Sequence, residues 1–143
     1  MPDLRPLDAD FAVAPQLRPE DMAALAAEGY RVVVNNRPDG EAPDEPQGAE
    51  MQAAAEAAGL TYRYVPVTQG GMRPDQLDAM RGVLEAEECT VAYCRSGTRS
   101  CYLWALASAR MGLAEPDELQ AKAQAAGYDI TPLMPILEHF AKE

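Results

Sequence analysis

The sequence predicts an α/β domain, a small parallel sheet flanked by helices on both faces. Short β-branched or aliphatic runs alternate with stretches whose apolar residues recur at helical spacing, and several helical stretches end on glycine, at Gly29, Gly59 and Gly112. The clearest strand signal is Arg31 to Val34, a β-branched run fit for a strand covered on both sides.

In chain order, Phe11 to Ala14 is a short first strand. A helix opens at Arg18 with Pro19, Glu20 and Asp21 in its first turn, where proline fits and acids meet the positive end of the dipole; Gly29 closes it. The strand Arg31 to Val34 leads into a polar loop, Arg37 to Gln47, and then an alanine-rich helix from about Gly48 to Ala58, stopped by Gly59. Leu60 to Val67 is the third strand. Pro74 and Asp75 start a helix that places Leu77, Met80, Val83 and Leu84 on one face. Thr90 to Tyr93 is the fourth strand and ends directly at Cys94; a helix from about Arg99 to Met111 follows and stops at Gly112. Residues 114–143 form two more helices, broken near Asp129 to Pro132 and expected to cap the sheet. The similar turns EGY, AGL and AGY are repeated helix stops rather than a tandem repeat, and with no internal linker residues 1–143 are expected to form one domain.

Composition narrows the function. Twelve basic against twenty-three acidic residues give a net charge of -11, so the overall field repels phosphate backbones and anionic membrane surfaces, and no nucleic-acid partner is expected. No window approaches a membrane-spanning apolar run and no leader pattern opens the chain, which makes a cytoplasmic location the expectation. Cys89, Cys94 and Cys101 are an odd number without paired spacing, fitting neither a disulfide framework nor a zinc site. His139, the only histidine, reads as a solvated or dipole-facing group in a terminal helix, and PDGEAPDEPQGAE reads as a solvated loop rather than a calcium loop. Neither metal nor cofactor is expected.

Chemistry concentrates in VAYCRSGTRS, residues 91–100. In a parallel sheet, ligands bind beyond the carboxyl ends of the strands, where Cys94 falls. Main-chain N–H groups from Arg95 to Arg99 can turn inward as an anion-holding nest, joined by the unpaired donors of the next helix. Such surroundings stabilise a thiolate, so Cys94 is expected to be ionised at neutral pH. Cys89 and Cys101 lack comparable neighbours and read as small core hydrophobes. Gly97 is expected to let the backbone fold tightly around the anion. Arg99 reads as an inward clamp and Arg95 as a second cation, although both could be surface charges. Ser96 and Thr98 complete the nest, and Ser100 either hydrogen-bonds the thiolate or caps the helix. Asn35, Asn36 and Arg37 lie on the same sheet edge as Cys94, where they orient substrate or satisfy loop carbonyls.

The run Cys94 to Ser100 resembles the active-site loop of rhodanese-type sulfurtransferases. Val34 to Glu41, the Tyr64 to Val67 strand and Leu103 to Leu106 resemble a bacterial family of phosphatase-like, or beta-lactamase-hydrolase-like, sulfur transferases. The resemblance spans most of residues 10–135. It implies the fold of dual-specificity and other cysteine-dependent phosphatases carrying a rhodanese-like loop, with Cys94 and Arg99 catalytic, Arg95 to Thr98 and Ser100 binding substrate, and Asn36 and Arg37 assisting.

Two features separate sulfur transfer from phosphate-ester hydrolysis. Only four residues, Arg95 to Thr98, separate Cys94 from Arg99, one fewer than in the phosphatase loop, and losing roughly 3.3–3.6 Å of contour leaves a ring better sized for one sulfur atom. Expelling an alkoxide is helped roughly 10²–10⁴-fold by a positioned acid, and the phosphatase fold usually carries an aspartate on the loop after the third strand. Here that loop reads Thr68 to Asp75 with no carboxylate at its start; Asp75 is explained by the helix dipole and Asp39 by a turn. Sulfite and thiolates leave without an acid. The expected activity is therefore two-step transfer of a sulfane sulfur from thiosulfate or a small persulfide, through a Cys94 persulfide, to a thiol or other nucleophile. The rival readings are a cysteine-dependent phosphatase, redox use of Cys101 or Cys89 as a resolving thiol, and a non-catalytic persulfide carrier docking on a sulfide-oxidising partner.

Overall fold

A computed structural model describes residues 3–41, 46–68 and 72–142. Five strands, β1 (Arg5–Asp8), β2 (Phe11–Ala14), β3 (Val32–Asn35), β4 (Thr61–Tyr64) and β5 (Thr90–Tyr93), form one sheet in the order β1-β2-β5-β3-β4. Strands β2, β5, β3 and β4 are parallel; β1 pairs antiparallel with β2. The sheet is thus mixed, where sequence alone predicts a parallel one. Nothing in Arg5 to Asp8 announces a strand, because one proline and two charges in four residues leave only Leu7 to bury. An edge position tolerates that composition.

Among the described residues six α-helices flank the sheet: α1 (Asp21–Ala27), α2 (Gly48–Ala57), α3 (Pro74–Glu85), α4 (Thr98–Arg110), α5 (Pro116–Ala125) and α6 (Met134–Ala141). Successive strand residues point to opposite faces. Val33, Val91 and Tyr93 pack with Met22 and Leu25 of α1 and Met51 and Ala55 of α2. Val32, Val34 and Ala92 face the other way, toward Met80 and Val83 of α3, Leu103 and Trp104 of α4, Leu119 of α5 and Leu137 of α6. Trp104 is almost fully buried and stacks on Phe11 with ring centroids 6.4 Å apart.

Boundaries shift for local reasons. Helix α1 begins at Asp21 rather than Arg18, because the Asp21 carboxylate accepts the Arg18 N–H at 2.8 Å across a turn. Strand β4 stops at Tyr64, short of Val67, although Val65 and Val67 still donate N–H bonds to Asn35 and Asn36 carbonyls. Buried Gln76 ties the start of α3 to this segment, accepting from Arg73 N–H at 2.7 Å and donating to Pro66 O at 2.8 Å. The tail joins one face only: α5 packs on α4 and β1 and α6 on α4, with Leu119 and Leu137 in the core on that side of the sheet. His139 sits in the last turn of α6 beside Phe140.

Candidate active site

The central strand β5, between β2 and β3, delivers its last residue to the carboxyl edge of the sheet, and Cys94 is the next residue. Hydrogen bonds from Cys94 N–H to Ala14 O (3.4 Å) and from Asn36 N–H to Tyr93 O (2.8 Å) anchor the exit to both neighbours. Gly97 turns the chain into α4: it is the N-cap, at φ 92°. Its N–H donates to Cys94 Sγ at 3.1 Å. A side chain here is excluded twice, by the left-handed backbone and by Tyr128, whose hydroxyl a Cβ would strike. That hydroxyl donates to Ser96 O at 3.0 Å, fixing the loop from outside. Cys94 is fully buried, so the loop encloses its sulfur.

Arg99 projects inward, as expected, but carries a partner that spacing alone does not reveal. Glu41 grips its guanidinium at two points, Nη1 to Oε2 at 2.8 Å and Nη2 to Oε1 at 2.7 Å, while Nη1 also donates to Val67 O at 2.7 Å. Glu41 Oε1 further accepts from Arg37 Nε at 2.9 Å, and Arg37 Nη1 donates to Gln16 Oε1 at 2.9 Å. Arg37 therefore stands behind Arg99 through a shared carboxylate. The Arg99 hydrogen bond holds the Glu41 carboxyl below its ordinary range despite burial, with Arg37 adding to the effect. Reciprocally, Arg99 is raised, first by Glu41 and further by the sulfur of Cys94, against the opposing effect of burial. The acidic loop thus folds one of its carboxylates back onto the site; its residues 42–45 lie outside the described ones.

The remaining candidates divide. Arg95 and Ser96 are exposed at the loop's outer side, with Ser96 Oγ donating to Thr98 Oγ1 at 2.9 Å and accepting from Thr98 N–H at 3.3 Å. Ser100 lies in the first turn of α4, buried, its hydroxyl without a hydrogen-bond partner among the described residues; Gly97, not Ser100, caps the helix. Asn36 is buried and donates to Val65 O at 2.8 Å, tying β3 to the segment after β4. Asn35 accepts from Arg37 N–H at 2.8 Å and donates to Tyr62 Oη at 3.0 Å. These asparagines shape the shelf under Arg37.

Neither candidate acid takes the acid's place. Asp75 is exposed and pairs with Arg73 at 3.3 Å. Asp39 receives the Gly48 N–H at 2.7 Å and so anchors the start of α2. Residues 69–71, in the loop after β4, lie outside the described ones. Cys89 stands at the opposite end of β5, roughly 16 Å of strand away. Cys101 is nearer than its sequence distance suggests, because the chain bends at Gly97 and places it in the first turn of α4; burial first, and the charge of Cys94 second, push its thiol up to about 12. Among the described residues no His, Cys, Asp and Glu group could hold a metal ion, and no helix is long and apolar enough to cross a membrane.

Comparison with known proteins adds the following. The model of the phosphatase-like domain of beta-lactamase hydrolase-like proteins matches residues 3–111. A beta-lactamase hydrolase-like protein of Xylella fastidiosa (strain 9a5c) is 35% identical over 132 residues, 92% of this chain but 31% of the longer relative. Among solved structures, a protein of Neisseria meningitidis provisionally assigned as a phosphatase superposes with TM-score 0.82 at 31% identity, covering 96% of this chain and 98% of its own. Tk-PTP in its active form gives 0.73 at 16% identity, over 99% and 98%, which shows the fold alone. The α/β fold is that of the cysteine-dependent phosphatases. These likenesses favour the phosphatase alternative and give no support to the sulfur-transfer reading.

Proposed function

The chain belongs to the family of phosphatase-like domains of beta-lactamase hydrolase-like proteins; from the geometry of its cysteine loop, and not from that membership, we propose that it is a cysteine-dependent group-transfer enzyme whose Cys94 carries a sulfane sulfur. One observation carries the reading: the enclosure between Cys94 and Arg99 is only four residues long, and within it the Gly97 N–H already reaches the sulfur at 3.1 Å. A ring that small and closed suits a one-atom cargo better than a tetrahedral ester. Neither Asp39 nor Asp75 lines the chamber beside the Cys94 loop, and sulfur transfer needs no acid.

The steps balance without an oxidant. The Cys94 thiolate attacks the outer sulfur of the donor, the new S–S bond forms as the donor's S–S bond breaks, and the electron pair leaves with sulfite or a thiolate. The Gly97 N–H and the start of α4 hold the resulting terminal sulfur until a thiol or cyanide removes it. Such a scheme gives ping-pong kinetics: parallel double-reciprocal lines with thiosulfate and cyanide support it, and intersecting lines argue against a Cys94 intermediate.

A cysteine-dependent phosphatase is the second reading, and the family description and fold neighbours favour it. In that scheme Cys94 would attack phosphorus and Arg99 would bind the equatorial oxygens after releasing Glu41. Hydrolysis of para-nitrophenyl phosphate separates the two. Rates far below sulfur turnover are expected, and a phosphatase rate exceeding sulfur transfer would reverse the order.

A further inference from the structure

A cavity of about 490 Å³ opens beside the catalytic loop, within the roughly 300–1,000 Å³ typical of small-molecule sites. Arg95, Ser96, Thr98 and Arg99 form one wall. Apart from Thr68, the rest is Val67, Met72, Tyr102, Leu106, Leu133 and Ile136. Beside a loop built for an anion, the chamber is therefore mostly apolar. Ile136 is 47% exposed while its neighbour Leu137 is fully buried, so α6 leaves one large aliphatic side chain uncovered against this space.

The charges nearby are also partly spent. Glu41 neutralises Arg99 at two points and shares itself with Arg37. Glu41 thus offsets one of the two guanidinium charges it joins, exposed Arg95 adds a cation at the wall of the chamber, and the chain's net charge of -11 opposes each further negative charge on an entering ligand.

We infer that this chamber recognises the sulfur donor, and that the donor is an organic hydropersulfide with an aryl or branched alkyl body and at most one negative charge, rather than thiosulfate. The inference rests on the sulfur-transfer reading and names its substrate class. In the step, the Cys94 thiolate takes the terminal sulfur of R–S–SH with its proton, and R–S⁻ departs from the chamber and is protonated by water.

The test follows the appearance of one added sulfur on the chain, by rapid quench and intact mass, with phenylmethyl hydropersulfide, glutathione hydropersulfide or thiosulfate as donor. The phenylmethyl donor should load at least tenfold faster per unit concentration than either other, about 1.4 kcal/mol of discrimination. Ile136→Asp, and Ile136→Gln as an uncharged second variant, should bring that ratio close to one. Equal loading from all three donors by the wild-type chain overturns the substrate class and leaves sulfur transfer standing. Loading by none removes the sulfur-transfer reading itself.

Discussion

Cys94 and Cys101 are both fully buried within a short stretch of chain, yet only the first has a main-chain donor aimed at its sulfur. Cys101 lies inside α4, where burial favours the neutral thiol and pushes it up to about 12. Cys94 lies seven residues earlier, where β5 has ended and α4 has not begun, so the donors that a helix normally uses internally are still available. The two thiols differ in what the backbone presents to the sulfur, not in depth.

The largest effect expected from breaking this contrast is Cys94→Ser: sulfur transfer should fall to background, while Cys101→Ala should stay within a few-fold of wild type by the same assay. Substantial turnover by the serine variant would mean that another group is the nucleophile.

Gly97→Ala comes next. It places a Cβ at φ 92° against the Tyr128 hydroxyl, costing about 1–3 kcal/mol and pulling the donor off the sulfur. Tyr128→Phe in the same chain should recover part of the stability, since the hydroxyl is removed while the backbone strain remains. Denaturant titration of the two single variants and the double variant measures the coupling.

Glu41→Gln should weaken the hold on Arg99 and Arg37, by about 1–3 kcal/mol after allowance for partial exposure. Because the Glu41 carboxyl is lowered in the folded state, the pair's contribution is fully present above the ordinary carboxylate pKa and is lost as pH falls through the lowered one. Acid titration should therefore show wild type losing stability toward the variant's level on descending through that window. A constant gap down to strong acid would contradict the pairing.

The smallest effect is Cys101→Ala itself on stability, about 0.5–2 kcal/mol from a lost buried side chain. Thermal unfolding reads it.

The same contrast explains what sequence discloses. Strands β2, β3 and β5 are covered on both faces, so they appear as unbroken apolar runs, and the glycine stops at Gly29, Gly59 and Gly112 all take positive φ as helix ends favour. The loop after β5 is legible because its unusual residues are contiguous. Strand β1 is not, since an edge strand with proline and charges satisfies no periodicity. Glu41 is not either: it reaches Arg99 across fifty-eight positions from a loop rich in acids, and nothing in its neighbours marks which one folds inward. The position of Cys101 in the first turn after the loop is not legible either, because the bend at Gly97 is a tertiary fact, held by Tyr128 from far along the chain.

On the proposed reading, the enclosure at Cys94 holds one sulfur atom. Intact mass of the chain after incubation with a hydropersulfide or thiosulfate measures this directly: the account predicts one added sulfur on wild type and none on Cys94→Ser. An unchanged mass in both, alongside Cys94-dependent release of para-nitrophenol from its phosphate ester, would contradict it.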